Sequence, residues 1–154
     1  MEIHYGYLLK ALHWFTDQSM TRALAEMDLT AAQGRVMAYL SHREDPPCAR
    51  DVEEVFQLSH PTVSGLLSRL EKKQFLELRT DKADRRVKRI YILPKGRDFL
   101  DRIRQVIDAN EESLIRGFSE EEAAQFASYL NRAIQNMKQD LNLKTCCEMG
   151  EQET

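Results

Sequence analysis

Residues 58–93 read LSHPTVSGLLSRLEKKQFLELRTDKADRRVKRIYIL, and the spacing of their apolar residues changes half-way along. Up to about Lys73 the apolar residues recur every three or four positions, which is typical of one face of a helix. Ser59 is a favourable N-cap residue, and Pro61 is tolerated in a first turn because its missing N–H would have no partner there. We therefore predict a helix from Ser59 to about Lys73 whose buried side chains are Val63, Leu66, Leu67 and Leu70.

After Gln74 the apolar residues alternate, as they do in strands with one buried face. The two alternating segments are Phe75–Arg79 and Val87–Leu93. Thr80–Arg86 joins them and is polar except for Ala83. The pattern predicts a β-hairpin with a charged tip directly after the helix.

The rest of the chain is predicted to be helical. Thr30 with Gln33, and Ser119 with Glu122, form capping boxes that begin two of the helices. The predicted helices cover residues 4–27, 30–41, 49–56, 94–116 and 119–141. The first is expected to bury one apolar stripe formed by Leu8, Ala11, Leu12, Phe15, Ala23, Leu24 and Met27. The third is expected to bury Val52, Val55 and Phe56. Residues 142–154 lose all periodicity, so we expect a flexible tail.

The composition is that of a globular chain. Its 154 residues are 42% hydrophobic and 31% charged, which argues against a disordered or collagen-like protein. No apolar run approaches the ~20 residues that cross a bilayer, and the first residues lack the basic start of a signal peptide, so we expect a cytoplasmic location. The three cysteines are too few and too unevenly placed for a secreted disulfide framework, and whether any is redox-active is left open: Cys48, Cys146 and Cys147.

Positive charge is concentrated in one segment. From Arg69 to Arg97 there are 11 basic and 4 acidic residues, although the whole chain has a formal net charge of -3. A compact basic segment in an otherwise acidic protein indicates a surface for a polyanion.

The helix of residues 59–73, the short helix before it and the hairpin after it have the order of a winged helix-turn-helix. The outward side chains of the helix are small or hydrogen-bonding, as a helix in a DNA major groove requires. Gly65 lies in mid-helix at a cost of about 0.5–1 kcal/mol relative to alanine, so it either admits close approach of DNA or relieves crowding within the protein. The predicted DNA-binding residues of this helix are Ser59, His60, Pro61, Thr62, Ser64, Gly65, Ser68, Arg69, Lys72 and Lys73.

Several motifs resemble the MarR family of bacterial winged-helix transcriptional regulators. LTAAQ at residues 29–33 resembles the entry into the family's second helix, and LSHPTVS at 58–64 with LEKK at 70–73 resembles its recognition helix. DKADRR at 81–86 resembles the family's wing motif D-x-x-D-R-R, and LPKG at 93–96 resembles the step into its fifth helix. The resemblance covers about residues 5–140.

The resemblance implies a mainly α protein with a small β-hairpin wing and long N- and C-terminal dimerisation helices. Residues 1–28 and 94–141 would form the helical dimerisation region, and residues 29–93 would form the winged helix-turn-helix DNA-binding lobe. The homodimer would bind pseudo-palindromic double-stranded DNA, with its recognition helices in successive major grooves. The wing would enter the minor groove through Arg86, with Asp84 pairing bidentately with the wing's arginines. The implied wing residues are Asp84, Arg85, Arg86 and Lys88.

The resemblance also implies a transcriptional repressor that is released by a small aromatic or anionic effector. The effector would bind between the dimerisation helices and the DNA-binding lobe. The candidate contacts are His13, Trp14, Tyr39 and Arg102.

Two positions depart from the family pattern. Gln74 stands where the family has a glycine after the recognition helix, so we expect the helix to end differently and the wing to tilt. Pro94 replaces a threonine cap, so the fifth helix is expected to begin without a hydroxyl.

Other classes of function have weaker support. The sequence contains no nucleophile elbow, P-loop, H-E-x-x-H or glycine-rich dinucleotide turn, so we expect neither an enzyme nor a cofactor. It contains no C-x-x-C and no histidine pair at i,i+4, so no metal site is predicted. Two alternatives stay open: a winged-helix protein-interaction module without specific DNA binding, and a thiol-based redox-responsive regulator that uses Cys146 or Cys147.

Overall fold

The computed structural model describes residues 4–141, and the predicted fold class is confirmed: six helices and one two-stranded antiparallel hairpin. The elements are α1 (Tyr5–Glu26), α2 (Ala31–Ser41), α3 (Ala49–Phe56), α4 (His60–Lys72), β1 (Leu76–Thr80), β2 (Lys88–Ile92), α5 (Pro94–Leu114) and α6 (Glu120–Leu141). Most bounds lie within one residue of the prediction, and α5 ends two residues early. Cys146, Cys147 and the predicted flexible tail lie outside the described residues.

The chain forms two compact units, one up to Glu111 and one from Glu112. The hydrophobic core of the first unit lies among the end of α1, α2, α3, α4, the hairpin and the start of α5. All four predicted side chains of α4 are buried, and Met37, Val52 and Phe75 are fully enclosed. The unit therefore has the packed core of a winged helix-turn-helix lobe.

Two predicted apolar faces, one on α3 and one on α1, are less buried than expected. Val55 of α3 is 41% exposed, because only Val52 on that helix points fully into the core. Of the stripe predicted on α1, only Ala23 and Leu24 are buried, and the residues nearer its start, such as Phe15 at 65%, are open to solvent. Periodicity identifies which face of a helix is apolar, but it does not identify where that helix leaves the core of its own chain.

Two helices end in the same hydrogen-bonded motif. After α4, Gln74 adopts the left-handed conformation with φ +64°, and Phe75 N–H donates to Leu70 C=O at 3.0 Å. After α1, Asp28 does the same with φ +54°, and Leu29 N–H donates to Leu24 C=O at 2.9 Å. Both are Schellman motifs with an apolar contact across the turn. The expectation that Gln74 would end the recognition helix differently is therefore wrong: glutamine takes up the conformation that glycine would adopt with less strain.

The hairpin pairs Leu76 with Ile92 at its base and Thr80 with Lys88 near its tip. The loop before α3 adds a short third segment to this sheet, because Ile90 N–H donates to Pro47 C=O at 2.8 Å and Cys48 pairs with Arg89. The wing is thus held on one side by the chain that leads into the helix-turn-helix.

Gly96 fixes the first turn of α5 against the lobe. A Cβ built on Gly96 would lie 2.2 Å from the backbone oxygen of Phe75 and 2.8 Å from Ile92 Cγ2. Phe99, one turn later, is buried and meets the Phe75 ring edge-on at 5.9 Å. As expected, α5 begins without a hydroxyl cap, and Pro94 occupies the first helical position, where proline is favoured.

The second unit contains the turn into α6. Ser119 N–H donates to Glu122 Oε2 at 2.8 Å, and Glu122 N–H donates to Ser119 Oγ at 3.2 Å, which confirms the predicted capping box. Phe118 packs edge-on against Phe126 at 5.7 Å. Gly117 supplies a positive φ of 85° in this turn. Within residues 4–141 no helix is both long enough and apolar enough to cross a membrane.

Candidate nucleic-acid interface

The outer face of α4 carries the side chains predicted for DNA contact. His60, Thr62, Ser64, Arg69 and Lys72 are exposed, and Gly65 and Ser68 are half-buried. Ser59 and Pro61 are also exposed, immediately before and within the first turn. The face is therefore small and hydrogen-bonding at its start and basic at its end.

The start of α4 is held differently from the prediction. Ser59 has the extended backbone of an N-cap, but its side chain makes no capping bond, because its Oγ lies 2.9 Å from Thr62 Oγ1. His60 Nδ1 lies 2.6 Å from Oε1 of Glu53 on α3. Glu53 was not among the predicted site residues, since its position seven residues before His60 gives no local signal.

Gly65 faces open space. A Cβ built on this residue would meet no heavy atom within 4 Å, and its φ lies in the ordinary helical range. Of the two explanations for this mid-helix glycine, crowding within the chain is therefore excluded for the described residues. Close approach by an external molecule remains.

Lys73, which was predicted to contact phosphate, instead binds the end of α1. Its Nζ lies 2.8 Å from Asp28 Oδ2 and also donates to the Asp28 carbonyl oxygen. This hydrogen bond and charge hold the pKa of Asp28 below its ordinary value. Lys95 of α5 donates from Nζ to the Lys73 carbonyl at 2.9 Å and lies over the Phe75 ring. The end of the recognition helix is thus joined to both α1 and α5.

The wing is organised by Asp81, which was not among the predicted site residues. Its Oδ1 accepts from the N–H groups of Ala83 and Asp84, and its Oδ2 accepts from Arg89 Nε at 2.7 Å. Together these lower the pKa of Asp81 to about 2, the Arg89 bond being the largest cause. Arg89 also donates to the Pro46 carbonyl at 3.3 Å. An aspartate two residues before a backbone N–H in a polar loop is the signal of an Asx turn, and it could have identified this residue.

The tip of the wing presents basic side chains to solvent. Arg85, Arg86 and Lys88 are exposed. Asp84 contacts Arg86 through one oxygen, with Oδ1 accepting from the backbone N–H at 3.0 Å and from Nε at 3.3 Å. The expected bidentate fork is therefore absent, and the terminal guanidinium nitrogens of Arg86 are not held by Asp84.

The four residues predicted for an effector site are not brought together. Trp14 is 55% exposed and packs edge-on against Phe15, and His13 is exposed beside it. Tyr39 packs edge-on against Phe56 in the lobe. Arg102 alone of the four lines a cleft, of about 360 Å³, between α1 and α5.

The lining of this cleft is mixed. Its polar and charged residues are Ser19, Arg22, Glu26, Arg102, Gln105 and Asn110, and its apolar residues are Ala23, Val106 and Ala109. Glu26 lies 3.5 Å from both arginines, through Oε1 to Arg22 and Oε2 to Arg102. One carboxylate therefore neutralises part of the charge of two guanidinium groups.

Cys48 is half-buried at the start of α3 and forms no disulfide. Among the residues from His4 to Leu141, no group of three or more His, Cys, Asp or Glu side chains is arranged to hold a metal ion.

Comparison with known proteins places this geometry in a family. The MarR family model matches residues 27–87, which run from the residue after α1 through the helix-turn-helix to the end of the wing loop, just before β2. The crystal structure of a MepR mutant from a multidrug-resistant Staphylococcus aureus clinical isolate shows 30% sequence identity to this chain and a TM-score of 0.72. The match covers 89% of this chain and 99% of the MepR chain. The chain belongs to the MarR family.

Two further comparisons agree. The S. aureus MepR–DNA complex is 29% identical and has a TM-score of 0.78, and the match covers 86% of this chain and 99% of that one. YsmB of Bacillus subtilis, named as an uncharacterised HTH-type transcriptional regulator, is 36% identical over 84 residues. The aligned part is 53% of this chain and 56% of YsmB, so the chain matches little more than half the length of that relative. MarR proteins are DNA-binding transcriptional regulators, and the matched proteins are regulators rather than enzymes.

Proposed function

We propose that this MarR-family chain is a homodimeric, sequence-specific double-stranded DNA-binding repressor. The observation that carries the proposal is the likeness to MepR in complex with DNA, over nearly the whole of both chains. The site residues support it, because the polar face of α4 and the basic tip of the wing are both exposed.

The two basic regions would have different tasks. Side chains at the start of α4 would contact base edges in the major groove, and Arg69 and Lys72 would contact phosphates. Arg85, Arg86 and Lys88 of the wing would lie at the adjacent minor groove, where a narrow A·T-rich segment attracts arginine. Lys73 is left out of the contact set, because its ammonium is bound to Asp28.

A homodimer is supported by the apolar side chains that each unit leaves exposed. On α1, Tyr5, Leu8, Leu12 and Phe15 are open to solvent, and on α6 so are Tyr129, Ile134 and Met137. Large apolar side chains exposed along a helix are typical of a protein interface in soluble proteins. A second copy of the chain would cover it and would provide the second recognition helix for a pseudo-palindromic operator. In this proposal, residues 1–28 and 94–141 form the dimerisation region and residues 29–93 the DNA-binding lobe.

The test is a fluorescence-anisotropy titration of the protein on its own upstream intergenic DNA at two salt concentrations. We expect saturable binding that competes poorly with unrelated DNA and weakens as salt rises. Arg86→Glu should abolish binding while light scattering still reports a dimer. Arg35→Glu is the matched control, because Arg35 is an exposed arginine on α2, outside α4, the wing and the proposed dimerisation region. Equal weak affinity for every sequence would contradict the proposal and favour the protein-interaction module.

Release by an effector is the second part of the proposal. The cleft between α1 and α5 favours an anionic ligand, because a carboxylate or phosphate can displace Glu26 from Arg22 and Arg102 and pair with either guanidinium. We expect a panel of aromatic carboxylates to contain a compound that releases the operator from wild type and has no effect on Arg102→Met. Equal release of the operator from wild type and from Arg102→Met would mean that the effector binds outside this cleft.

Repression and a thiol response have separate tests. A reporter fused to the bound promoter should be more active in a strain that lacks this protein. Lower reporter activity in that strain would identify an activator.

The effector proposal gives the cysteines no part in operator release. Alkylating them should therefore leave the response of the protein–operator complex to an oxidant unchanged. If alkylation blocks that release, the redox-responsive alternative is correct.

A further inference from the structure

The first residue of the recognition helix makes a contact that DNA binding alone does not explain. His60 is the first residue of α4, and its Nδ1 lies 2.6 Å from Glu53 Oε1 on α3. The side chain of His60 is 73% exposed, whereas that of Glu53 is only 22% exposed. The Glu53 carboxylate is therefore largely shielded from solvent, whereas the His60 imidazole that contacts it is largely exposed.

This contact determines which nitrogen of the ring faces outward. An ionised carboxylate can only accept a hydrogen bond, so Nδ1 carries a proton whenever the contact is made. Nε2 is then the polar atom left for an external partner. It is an acceptor in the neutral ring and a donor in the imidazolium, and in both states its direction is set by Glu53.

We propose that Glu53 is a positioning residue for His60, and that the pair reads one base edge in the major groove. The proposal rests on the proposed DNA-binding function and assigns part of its specificity. Residues at the start of a recognition helix are the ones that reach base edges, and a ring nitrogen of fixed direction can match only some of the hydrogen-bonding groups displayed there.

Electrostatics argue against a simpler role for Glu53. A carboxylate beside the interface repels phosphates and weakens binding to DNA of any sequence. A hydrogen bond to a largely exposed histidine contributes little to folding stability. A negative charge at this place is useful if it orients a side chain that distinguishes one base from another.

The experiment measures base discrimination by protein variants and operator variants together. Each base pair of the operator is substituted in turn, and dissociation constants are measured for wild type, His60→Ala, Glu53→Ala, Glu53→Gln and the double alanine variant. We expect one base pair per half-site at which wild type discriminates at least about 5-fold and His60→Ala does not discriminate, because a single hydrogen bond supports a preference at the lower end of the range for one base pair. Glu53→Ala should lose most of the same discrimination, at the same base pair.

Two comparisons separate positioning from a structural or purely electrostatic effect. Glu53→Gln should restore part of the discrimination, because an amide oxygen still accepts from Nδ1–H. The double variant should be no worse than His60→Ala, since Glu53 acts only through the histidine. Glu54→Ala is the matched control, because Glu54 is the next carboxylate along α3 and pairs with Arg50 at 3.0 Å instead. It should leave base discrimination unchanged.

Several results would overturn the inference. A uniform change in affinity across all base pairs in Glu53→Ala and His60→Ala would assign the pair to phosphate contact or to folding. Additive losses in the double variant would mean that the two residues act independently. If wild type itself distinguishes no DNA sequence, the proposed function fails as well, whereas a wild type that discriminates through other residues refutes the Glu53–His60 inference alone.

Discussion

Lys73 Nζ lies 2.8 Å from Asp28 Oδ2, so the residue directly after the recognition helix pairs with the left-handed residue of the turn that follows α1. Both belong to Schellman turns, in which Asp28 and Gln74 adopt left-handed conformations. The adjacent lysine, Lys72, is exposed on the outer side of α4. Two neighbouring lysines with the same chemistry therefore have different surroundings, and their substitution should have different effects.

Replacing each lysine by glutamine separates DNA contact from structural support. Lys72→Gln should weaken binding to all DNA sequences and reduce the slope of log affinity against log salt by about 2, because each protomer of the dimer loses one phosphate contact. Lys73→Gln should leave this slope unchanged and lower the midpoint of thermal unfolding. The measurements are anisotropy titrations over a series of salt concentrations and thermal melts of both variants. Equal reductions of the salt slope would mean that Lys73 leaves Asp28 to bind phosphate.

Gly65→Ala should stabilise the protein and impair DNA binding. The added methyl group meets no atom of the chain within 4 Å, and alanine is favoured over glycine in a helix by about 0.5–1 kcal/mol. The same methyl group would occupy the space that DNA approaches. Urea unfolding should therefore show a higher midpoint, and anisotropy should show a lower operator affinity. Unchanged affinity in a stabilised variant would show that DNA does not come close at Gly65.

Gly96→Ala makes the same chemical change in another helix and should have the opposite effect on stability. Its Cβ would lie 2.2 Å from the Phe75 backbone oxygen, and backbone cannot rotate away as a side chain can. We expect a loss of at least about 2 kcal/mol in the free energy of unfolding, because α5 must shift from the hairpin. Gly65→Ala serves as the control for helix propensity. A variant as stable as wild type would show that α5 can slide over the lobe at little cost.

Gln74→Gly should raise the free energy of unfolding by about 1 kcal/mol. Gln74 has a φ of +64°, a conformation that is strained for a residue with a side chain but not for glycine. Glycine has more conformational freedom in the unfolded chain, and this entropy offsets part of the stability gained by removing the strain. Operator affinity should not change, because the helix end keeps its geometry. Denaturant unfolding and anisotropy provide the two readouts. A changed affinity would mean that glutamine does tilt the wing.

Asp81→Asn should reveal a pH-dependent contribution of the wing to stability. The pKa of Asp81 in the folded protein is about 2, against an ordinary value of 3.8, so the folded state favours the ionised form. The contribution is therefore present above about pH 5 and is lost as the pH falls from about 4 toward 2. Urea midpoints of wild type and variant should differ near pH 6, differ less near pH 3 and converge only near pH 2. Asparagine can still accept the Ala83 and Asp84 N–H bonds, so the difference reports mainly the charge paired with Arg89. A difference that is constant with pH would contradict this assignment.

Local sequence patterns were enough to predict the elements of the fold. The change from helical to alternating spacing at Gln74 marks the end of α4 and the start of the hairpin, and both capping boxes form as expected. These features depend on hydrogen bonds and apolar spacing within a few residues, which the sequence contains directly. The face of α4 was predictable for the same reason, because its inward leucines define its outward side.

The contacts that position this face could not be read in the same way. Glu53 meets His60, Lys73 meets Asp28, and a glycine at residue 96 lies against the backbone of Phe75, although the partners are 7, 45 and 21 residues apart. The Asp28 partner is the reason that we leave Lys73 out of the proposed phosphate contacts. The burial of Val55 and of the first turns of α1 was overestimated. Side-chain pairing and depth of burial depend on how separate helices are placed in space, and that placement is set by the packing of the whole core rather than by the spacing within any one helix.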